Sequence, residues 1–429
     1  MVDPVVIVGA GQAGVQLCLS LRKSKFDGPV VMYSAESDAP YHRPPLSKGF
    51  LLSKVDEDKL PMRPASFYPA KSVDLRLGCP VTSIDLAAKT VSCGADQQSY
   101  SALILATGAL PRQLPIKGAD LDGVHFLRNL ADSRAIKSRL AAIDSLVVVG
   151  AGFIGLEVAA AARSLGKKVT VFDTADRVMA RAVAPAISQW YQQMHQDSGV
   201  DLRLGEAITA IAGSSDDGAD ANGAGVSHVV CADGTPLDAQ LVVIGVGVIP
   251  DIEVAERAGL HCDNGIVVDE HCRTSDPFVF AAGDCANHPN PFASVDRLRL
   301  ESIQNATDQA RTVAANVVAS VSSSVAVATP TTALSSYRAV PWFWSDQGEH
   351  SSQMAGLSFD ADEYVTRGEP GSNSFSVYHY RAGKLIAVDS VNMPRDHMMA
   401  RKLIDAGVSP TADQAADTSF DLKSLLKSG

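Results

Sequence analysis

The sequence predicts an α/β protein with two Rossmann-type dinucleotide-binding domains and a small α+β domain at the C-terminus. Three observations predict it. A strand–glycine turn–helix–strand pattern stands near the N-terminus, the pattern returns at Leu146, and alternating strand-like segments follow residue 336. One pattern used twice is more informative than either copy alone.

The first copy begins with Val5-Val6-Ile7-Val8, a continuous apolar run that is typical of a parallel strand buried on both faces. The turn is Gly9-Ala10-Gly11-Gln12-Ala13-Gly14, and we expect a helix from Val15 to about Lys23. Val30 to Tyr33 is predicted as the next strand, and Glu36 lies just beyond it.

The second copy follows the same order. We expect a strand at Leu146–Val149, the turn Gly150-Ala151-Gly152-Phe153-Ile154-Gly155, and an alanine-rich helix from Leu156 to Leu165. Val169 to Phe172 is the predicted second strand, and Asp173 closes it.

Each turn has the form GxGxxG, in which every glycine has a physical task. The first makes the tight turn, the second lets the backbone approach a pyrophosphate, and the third lets the helix pack on the strand. The phosphates then lie at the positive end of that helix. A carboxylate after the next strand binds the adenosine ribose, and Glu36 and Asp173 stand where it is needed. Two such sites predict two dinucleotides, a tightly held FAD in the first and an exchanging NAD(P)H in the second.

Asp173 also bears on the choice between NADH and NADPH. A carboxylate there favours a free 2′-hydroxyl and repels a 2′-phosphate, so we expect NADH. Arg177 and Arg181 lie nearby in the sequence and weaken that prediction.

Two later segments support FAD in the first site. Leu103 to Gly108 is predicted as a strand that ends in an Ala-Thr-Gly turn. Thr274 to Asp284 is predicted as a strand that ends in Gly-Asp, and in flavoproteins with two dinucleotides this aspartate reaches the ribityl and pyrophosphate part of FAD.

Composition excludes several classes of function. The net charge is −11, and no basic run offers a nucleic acid a binding surface. No stretch approaches 18 uninterrupted apolar residues and the N-terminus does not have the form of a signal peptide, so we expect a cytoplasmic protein without a membrane span.

The seven cysteines are scattered and form no CxxC pair, which argues against a zinc site, any other metal site or a secreted disulfide framework. No cysteine lies between Cys18 and Cys79, and Cys285 is interpreted as a small buried hydrophobe. Electrons would therefore leave the flavin directly, and a one-electron protein acceptor is a natural partner.

We expect three domains. The FAD-binding domain comprises residues 1–112 and 249–325, the NAD-binding domain residues 113–248, and the C-terminal α+β domain residues 337–429. Gly213 to Gly225 and the low-complexity stretch from Val317 to Ser336 are predicted as a loop and a connector. In the last domain we expect strands at Phe375–Tyr380 and Leu385–Asp389 and a helix near His397 to Ala406.

The chain resembles the NADH-dependent reductases that supply bacterial oxygenases, which include putidaredoxin reductase, dioxygenase ferredoxin reductases and rubredoxin reductase. The resemblance extends over nearly the whole chain and implies a glutathione-reductase-like fold. Besides the two glycine turns and Thr107-Gly108, it rests on two highly specific strings, Arg43-Pro-Pro-Leu-Ser-Lys48 and Trp342-Phe-Trp-Ser-Asp-Gln347. Where the family usually has a tyrosine after the second string, this chain has Gly348.

The resemblance implies roles for particular residues. Lys48 would lie beside the isoalloxazine near N5, paired with Glu157, so that a positive charge meets the negative charge of reduced flavin. Trp344 would pack close to the flavin, and Trp342 nearer the docking surface. These three, Lys48, Glu157 and Trp344, are the candidate catalytic residues. The candidate cofactor-binding residues are Gly9, Gly11, Ala13, Gly14, Glu36, Arg43, Lys48, Val81, Ala106, Thr107, Gly108, Arg128, Asp284, Ile303, Trp344, Gly150, Gly152, Ile154, Gly155, Glu157, Asp173, Arg181 and Gly247.

The implied activity is that of a ferredoxin–NAD(+) reductase. NADH would pass hydride to FAD, and the reduced flavin would pass single electrons to a small [2Fe–2S] ferredoxin that serves a bacterial oxygenase. The partner and this chain are both acidic, so docking needs a local basic patch. Arg63, Arg311 and Lys384 are the candidates, because the matching family positions face the partner.

Three alternatives remain open. The first is a rubredoxin reductase, since Ser34–Tyr41 and Arg177–Arg181 look like that branch of the family. The second is a reductase of a quinone or an ascorbate radical. The third is an apoptosis-inducing-factor-like protein whose NADH-bound form signals through dimerisation.

Overall fold

A computed structural model describes residues 3–213, 225–323 and 334–427. The chain divides into two compact units. The first unit contains Met1–His42, Pro61–Leu110 and Ile249–Phe343, and the second contains Arg43–Leu60, Pro111–Val248 and Trp344–Gly429. The division into three functional domains at residues 112, 248 and 337 stays a prediction.

A parallel sheet forms the centre of the first unit. Its five strands are, in spatial order, Val279–Ala281, Ala102–Leu105, Val5–Val8, Val30–Tyr33 and Val73–Arg76. The strands at Val5–Val8, Val30–Tyr33 and Ala102–Leu105 are buried along their whole length, as their continuous apolar sequences require in a sheet covered on both faces.

Two helices, Gln12–Lys23 and Ile303–Ser323, cover one face of this sheet. The second helix corrects the predicted connector at Val317–Ser336, because the chain is helical through Ser323. Val313, Ala314 and Val317 are fully buried and belong to the core, so an alanine- and valine-rich sequence is here the inner face of a helix. Residues 324–333 of that predicted connector lie outside the described residues.

The predicted strand from Thr274 is shorter than expected and covers only Val279–Ala281. The residues before it form a turn instead. The Asp276 carboxylate accepts the Phe278 N–H at 2.8 Å, and Pro277 has no N–H to donate to a sheet.

The first unit also contains smaller elements. They are the helices Phe67–Ala70 and Glu253–Arg257, the antiparallel strands Ser83–Asp85, Thr90–Cys93 and Asp96–Ser99, and the strand pair Ile266–Val267 with Ala286–Asn287. Cys79 and Cys93 form a disulfide that ties the segment after Val73–Arg76 to the antiparallel sheet. The sequence pattern did not predict this pair, because the two cysteines are 14 residues apart and meet only when the hairpin folds.

The second unit contains a matching parallel sheet. Its strands are Val200–Leu204, Lys168–Asp173, Ser145–Val149, Val242–Ile244 and Val124–Phe126 in spatial order. The helices are Leu130–Ala142, Phe153–Ser164 and Pro185–Asp197, and a three-stranded sheet is formed by Ile208–Gly213, Val226–Cys231 and Pro236–Asp238. The predicted loop from Gly213 lies outside the described residues from 214 to 224.

The C-terminal part forms a five-stranded antiparallel sheet, in the order Trp342–Gln347, His350–Gly356, Lys384–Val391, Ser374–Arg381 and Glu363–Glu369. The α-helices Pro394–Ala406 and Ala412–Ala416 follow. Both predicted strands are present, and the predicted helix begins earlier, because Pro394 suits the first turn of a helix. The remaining short elements are the strands Ala109–Pro111 and Val248–Pro250 and the 3₁₀ turns Pro44–Ser47, Glu57–Lys59, Pro370–Ser372 and Leu422–Lys427.

No helix within the described ranges has the length and apolar character that crossing a membrane requires. Among the same residues, no cluster of His, Cys, Asp or Glu side chains is arranged to hold a metal ion.

Candidate functional site

The first glycine turn is shaped by two close backbone contacts. Gly9 has φ +110°, and a Cβ atom there would lie 2.1 Å from the carbonyl oxygen of Ala106. A Cβ atom on Gly14 would lie 2.0 Å from the carbonyl oxygen of Gly9. Only glycine fits either position, because real Cβ atoms do not approach backbone oxygens so closely.

Gly11, between them, is different. Its immediate chain neighbours aside, no heavy atom of the described residues lies within 4 Å of the place where its Cβ would be. The absence of a side chain here leaves open space next to the backbone at the start of the helix Gln12–Lys23. This is the surface that the second glycine of the motif offers to a pyrophosphate.

The second turn repeats this geometry in the second unit. Gly150 also has φ +110°, and its Cβ would lie 2.4 Å from the carbonyl oxygen of Gly245. A Cβ on Gly155 would lie 2.0 Å from the carbonyl oxygen of Gly150, whereas Gly152 faces space that is empty of other described atoms within 4 Å. The two turns are therefore equivalent, residue by residue.

The helices that follow the two turns begin without a side-chain cap. Within the described residues, neither Gln12–Lys23 nor Phe153–Ser164 has a capping side-chain hydrogen bond or an acidic residue in its first turn. The helix Leu130–Ala142 has both, in a capping box formed by Asn129 and Asp132. An uncapped helix start keeps the positive end of the dipole available to an anion, so both turns fit a dinucleotide pyrophosphate.

Asp173 is the last residue of the strand Lys168–Asp173, and Glu36 lies three residues beyond the strand Val30–Tyr33. The Glu36 carboxylate accepts a short hydrogen bond from the Tyr41 hydroxyl. The two carboxylate oxygens of Asp173 accept the Ala151 N–H at 2.6 Å and the Ala175 N–H at 2.8 Å. Because Ala151 belongs to the glycine turn, Asp173 is fixed against that turn by the fold itself.

The arginines that weakened the NADH prediction differ in their surroundings. The Arg177 guanidinium donates to the carbonyl oxygens of Ala180 and Val183, at 2.5 and 3.0 Å. It therefore stabilises its own loop, while Arg181 is exposed.

In the first unit, the Thr107-Gly108 turn is held by the segment that follows Pro250. The Thr107 hydroxyl donates to the carbonyl oxygen of Asp251 at 2.5 Å, and the Asp251 N–H donates to the carbonyl oxygen of Gly108 at 3.0 Å. These bonds fix the end of the strand Ala102–Leu105.

The Gly-Asp turn of the same unit is held by the helix Ile303–Ser323 and the residues before it. The Gly283 N–H donates to the Gln309 side chain at 2.7 Å. Arg299 donates to the carbonyl oxygen of Asp284 at 3.1 Å and forms an ion pair with Glu301 at 2.7 Å. The sequence string Arg299-Leu-Glu301 therefore positions the backbone of Asp284.

Lys48 and Glu157 are brought together in the second unit. The Lys48 Nζ atom lies 2.8 Å from Oε1 of Glu157, whose side chain is 3% exposed. The residues are 109 positions apart in sequence, and the fold places the 3₁₀ turn Pro44–Ser47 against the helix Phe153–Ser164. Removing the ammonium partner of a buried carboxylate strongly destabilises a protein, because an uncompensated charge then stays buried.

The other candidate residues are distributed over both units. Arg43 donates to the carbonyl oxygen of Arg128 at 2.6 Å. Half-buried or exposed candidates are Val81, Ile303, Trp344, Ile154 and Gly247, and buried ones are Ala13 and Ala106. Their contacts with a cofactor stay predictions.

The cysteine thiols are poor candidates for redox chemistry. Burial raises the pKa of Cys18 to about 12 and that of Cys262 to about 11. Cys285, beside the Gly-Asp turn, is fully buried, and its burial also raises its pKa. A thiol with a raised pKa is not the thiolate that disulfide exchange requires.

The three basic docking candidates are exposed, and Trp342 is half-buried. The Arg63 guanidinium lies 5.8 Å from the Phe67 ring centre, and Arg311 forms an ion pair with Asp308 at 2.6 Å. Lys384 begins the strand Lys384–Val391. In the first unit, the Trp342 N–H donates to the Gln304 side chain at 3.2 Å.

Sequence reasoning missed the side chains that surround Glu157. Ser47 and Ser345 both donate hydrogen bonds to its carboxylate, the latter at 2.6 Å. Both lie inside the two specific strings, which was the available signal. His195, which contacts Gln347, stands in no motif, so no sequence signal could have found it.

Comparison with known proteins gives a consistent result. Residues 3–310 match the family model "Pyridine nucleotide-disulphide oxidoreductase", and residues 342–426 match "Reductase C-terminal". The chain is 45% identical to rhodocoxin reductase of Rhodococcus erythropolis, over 98% of this chain and 93% of that protein. It is 38% identical to rubredoxin-NAD(+) reductase of Ectopseudomonas oleovorans, over 91% and 96% of the two chains.

A similar solved structure is that of the reductase in a covalent putidaredoxin reductase–putidaredoxin complex. The TM-score is 0.90 at 37% sequence identity, and the match covers 99% of this chain and 98% of the other. The predicted fold class is confirmed by these matches.

Proposed function

Because the chain belongs to the pyridine nucleotide-disulphide oxidoreductase family, we propose that it oxidises NADH and passes electrons singly to a small [2Fe–2S] ferredoxin. The family resemblance seen in the sequence is confirmed, and the protein is an oxidoreductase that uses FAD and NAD(H). The downstream consumer of the electrons would be a bacterial oxygenase, and a cytoplasmic location is part of the proposal.

The observation that carries the proposal is the pair of equivalent glycine turns, one in each unit. Gly11 and Gly152 each leave open space before an uncapped helix, which suits one pyrophosphate apiece. Asp173, fixed beside the second turn, would bind the ribose of NADH. Bound FAD supplies the chemistry, since it accepts hydride and releases single electrons.

The residues of the chain contribute orientation and charge. Gly11 and the helix Gln12–Lys23 would hold the FAD pyrophosphate, with Glu36 at the ribose. Lys48, anchored by Glu157, would place a positive charge where reduced flavin is negative. Cys79 and Cys93 are joined to each other, and burial raises the pKa of each of the five free thiols, so no thiolate relay is part of the proposal.

The proposal is tested by an anaerobic titration with NADH. The purified protein, reconstituted with FAD, should be yellow and should lose its flavin absorbance on addition of about one equivalent of NADH. NADPH should require a much higher concentration for the same effect. A protein that stays colourless after reconstitution, or whose flavin is not bleached by NADH, would contradict the proposal.

The ferredoxin would dock on basic residues although the whole chain is acidic. Arg311→Glu and Lys384→Glu should each slow reduction of the ferredoxin severalfold at low salt, because complementary charge raises association rates. Oxidation of NADH by a small dye should be unchanged. Arg257→Glu, an exposed charge reversal outside the proposed patch, is the matched control. Equal loss of both activities would refute the docking assignment.

Rubredoxin is the second candidate acceptor, because Ser34–Tyr41 and Arg177–Arg181 resemble the rubredoxin-linked branch. One of the similar proteins is a rubredoxin-NAD(+) reductase. The tryptophan string favours the [2Fe–2S] branch. Steady-state rates with each carrier at equal concentration separate the two, and a higher kcat/KM with rubredoxin would overturn our choice.

A further inference from the structure

The Glu157 carboxylate lies at the end of a hydrogen-bonded chain that the proposed function leaves unexplained. It accepts bonds from three side chains, namely the Lys48 ammonium at 2.8 Å, the Ser345 hydroxyl at 2.6 Å and the Ser47 hydroxyl. Lys48 and Ser345 both contact Oε1, while Ser47 contacts Oε2.

From Ser345 the series of hydrogen bonds continues into the interior of the second unit. The Gln347 amide nitrogen donates to the Ser345 hydroxyl oxygen at 3.3 Å. The Gln347 amide oxygen lies 2.8 Å from Nε2 of His195, which donates to it. Ser345, Gln347 and His195 are each fully buried.

All donors in this chain point the same way. His195 donates to Gln347, Gln347 donates to Ser345, and Ser345 donates to Glu157. The Gln347 amide oxygen can only accept, so Nε2 of His195 carries the proton of this bond, while Nδ1 has no hydrogen-bond partner among the described residues. Burial lowers the pKa of this histidine. Bonds aligned in this way polarise one another and strengthen the last of them.

This series of hydrogen bonds also fixes the side-chain rotamers of its members. A hydroxyl group can rotate, but Ser345 accepts from Gln347 and therefore has its own proton directed at Glu157. With the His195 proton on Nε2, turning the Gln347 amide would break its bonds to Ser345 and His195 and its contact with Met179 Sδ at 3.7 Å. Glu157 is thus oriented from a strand, Trp342–Gln347, that is distant in sequence from its own helix.

We propose that Ser345, supported by Gln347 and His195, is a positioning residue that orients the Glu157 carboxylate and thereby holds the Lys48 ammonium in place for the flavin. This rests on the proposed function, because it presupposes that Lys48 acts on bound FAD. It gives the Ser and Gln of the Trp-Phe-Trp-Ser-Asp-Gln string a role that is separate from that of its tryptophans.

The test is a double-mutant cycle on the FAD-loaded full-length protein with two readouts, the flavin midpoint potential and the rate of flavin reduction by NADH. In Ser345→Ala, a less firmly held Lys48 should stabilise reduced flavin less. We expect reduction to become about tenfold less favourable, which for a two-electron couple is about 30 mV more negative. The rate of reduction should fall roughly tenfold, as for loss of a hydrogen bond to a charged group.

The same Ser345→Ala change in a Glu157→Gln background should shift neither readout further, because Ser345 acts through the carboxylate. Equal shifts in both backgrounds, or a wild-type potential and rate in Ser345→Ala, would overturn the proposal. Gln347→Leu, measured in the wild-type and Glu157→Gln backgrounds, should shift the midpoint potential and the reduction rate in the same direction but by less. If Ser345→Ala does not fold, the same comparison with Gln347→Leu tests the proposal.

Ser390→Ala is the matched control. Ser390 is also a buried serine of the C-terminal sheet, and its hydroxyl accepts from Ser376 at 2.9 Å, outside this chain of bonds. It should leave both readouts unchanged. Failure of the proposed function itself would be seen earlier and separately, because the wild-type protein would then bind no FAD or would not be bleached by NADH.

Discussion

At the residue scale, the glycines of each turn divide into two kinds. The first and third are required by backbone contacts within the protein, whereas the middle one is required only by what binds there. In Gly11 and Gly152 an added methyl group would meet none of the other described atoms within 4 Å. Substitution at these positions should therefore change dinucleotide binding without changing the stability of the fold.

Gly11→Ala should fold with nearly wild-type stability but bind FAD at least tenfold more weakly, because its methyl group occupies the space needed by the pyrophosphate. The Gly152→Ala variant should keep its FAD and instead bind NADH more weakly by a similar factor. FAD affinity by fluorescence and NADH titration of the flavin absorbance measure the two effects.

Gly14→Ala is the contrasting variant, since its methyl group would lie 2.0 Å from the Gly9 carbonyl oxygen. It should lower the unfolding temperature of the protein even without FAD. If Gly11→Ala were destabilised as strongly as Gly14→Ala, the division into two kinds of glycine would be wrong.

At the scale of elements, one arginine makes a cluster of polar contacts with the C-terminal tail, beside the apolar contacts of Ala415 and Leu422. Arg367, in the strand Glu363–Glu369, is 6% exposed. Its guanidinium donates to backbone carbonyl oxygens of the tail, and the acceptors are Gln414, Ala415, Asp417, Thr418 and Phe420. All these bonds come from the two terminal nitrogens, whose four N–H groups lie in one rigid plane, while Nε lies 3.5 Å from the Asp396 carboxylate. A lysine cannot reproduce this geometry.

Arg367→Lys should therefore release the tail. We expect a loss of about 2–3 kcal/mol in the free energy of unfolding, as for removal of hydrogen bonds to a charged group. Limited proteolysis with mass spectrometry should show cleavage after residue 409. Arg381→Lys, a half-buried position at a strand end of the same sheet, is the control and should stay resistant. An uncleaved tail in Arg367→Lys would contradict the assignment.

At the scale of the whole molecule, stability should depend on pH through buried histidines in both units. Burial lowers the pKa of His288 and of His397 to about 4. In the unfolded chain a histidine titrates near about 6.5. Between these values the unfolded state binds more protons, so stability is complete above about pH 6.5 and is lost as the pH falls toward 4.

Each histidine should contribute on the order of 3 kcal/mol to this loss. The urea midpoint of unfolding should fall markedly between pH 7 and pH 4.5. His288→Asn and His397→Asn should each reduce that fall, whereas His261→Asn, at an exposed position, should not. The prediction fails if the first two variants lose as much stability between these pH values as the wild type.

The local elements followed from the sequence because their signals are local. Val5–Val8 is apolar along its whole length, and Gly9 begins a turn that only glycine allows, so strand, turn and helix could be predicted from neighbouring residues. The connector predicted from Val317 was wrong through Ser323, because composition does not reveal which face of a segment is buried. Alanine and valine suit the buried face of a helix as well as a simple linker, and only packing decides between them.

The amino-acid sequence was enough to predict the two glycine turns, the carboxylates after the following strands and the family resemblance, because these depend on short motifs and on the order of neighbouring elements. It took the packing of the chain to bring the buried residues Ser47, Glu157, Ser345, Gln347 and His195 into one network with the half-buried Lys48, and to join Cys79 to Cys93. These groups lie on segments that are distant along the chain. Their distances and hydrogen-bond directions are set by how helices and strands pack, which no local pattern encodes.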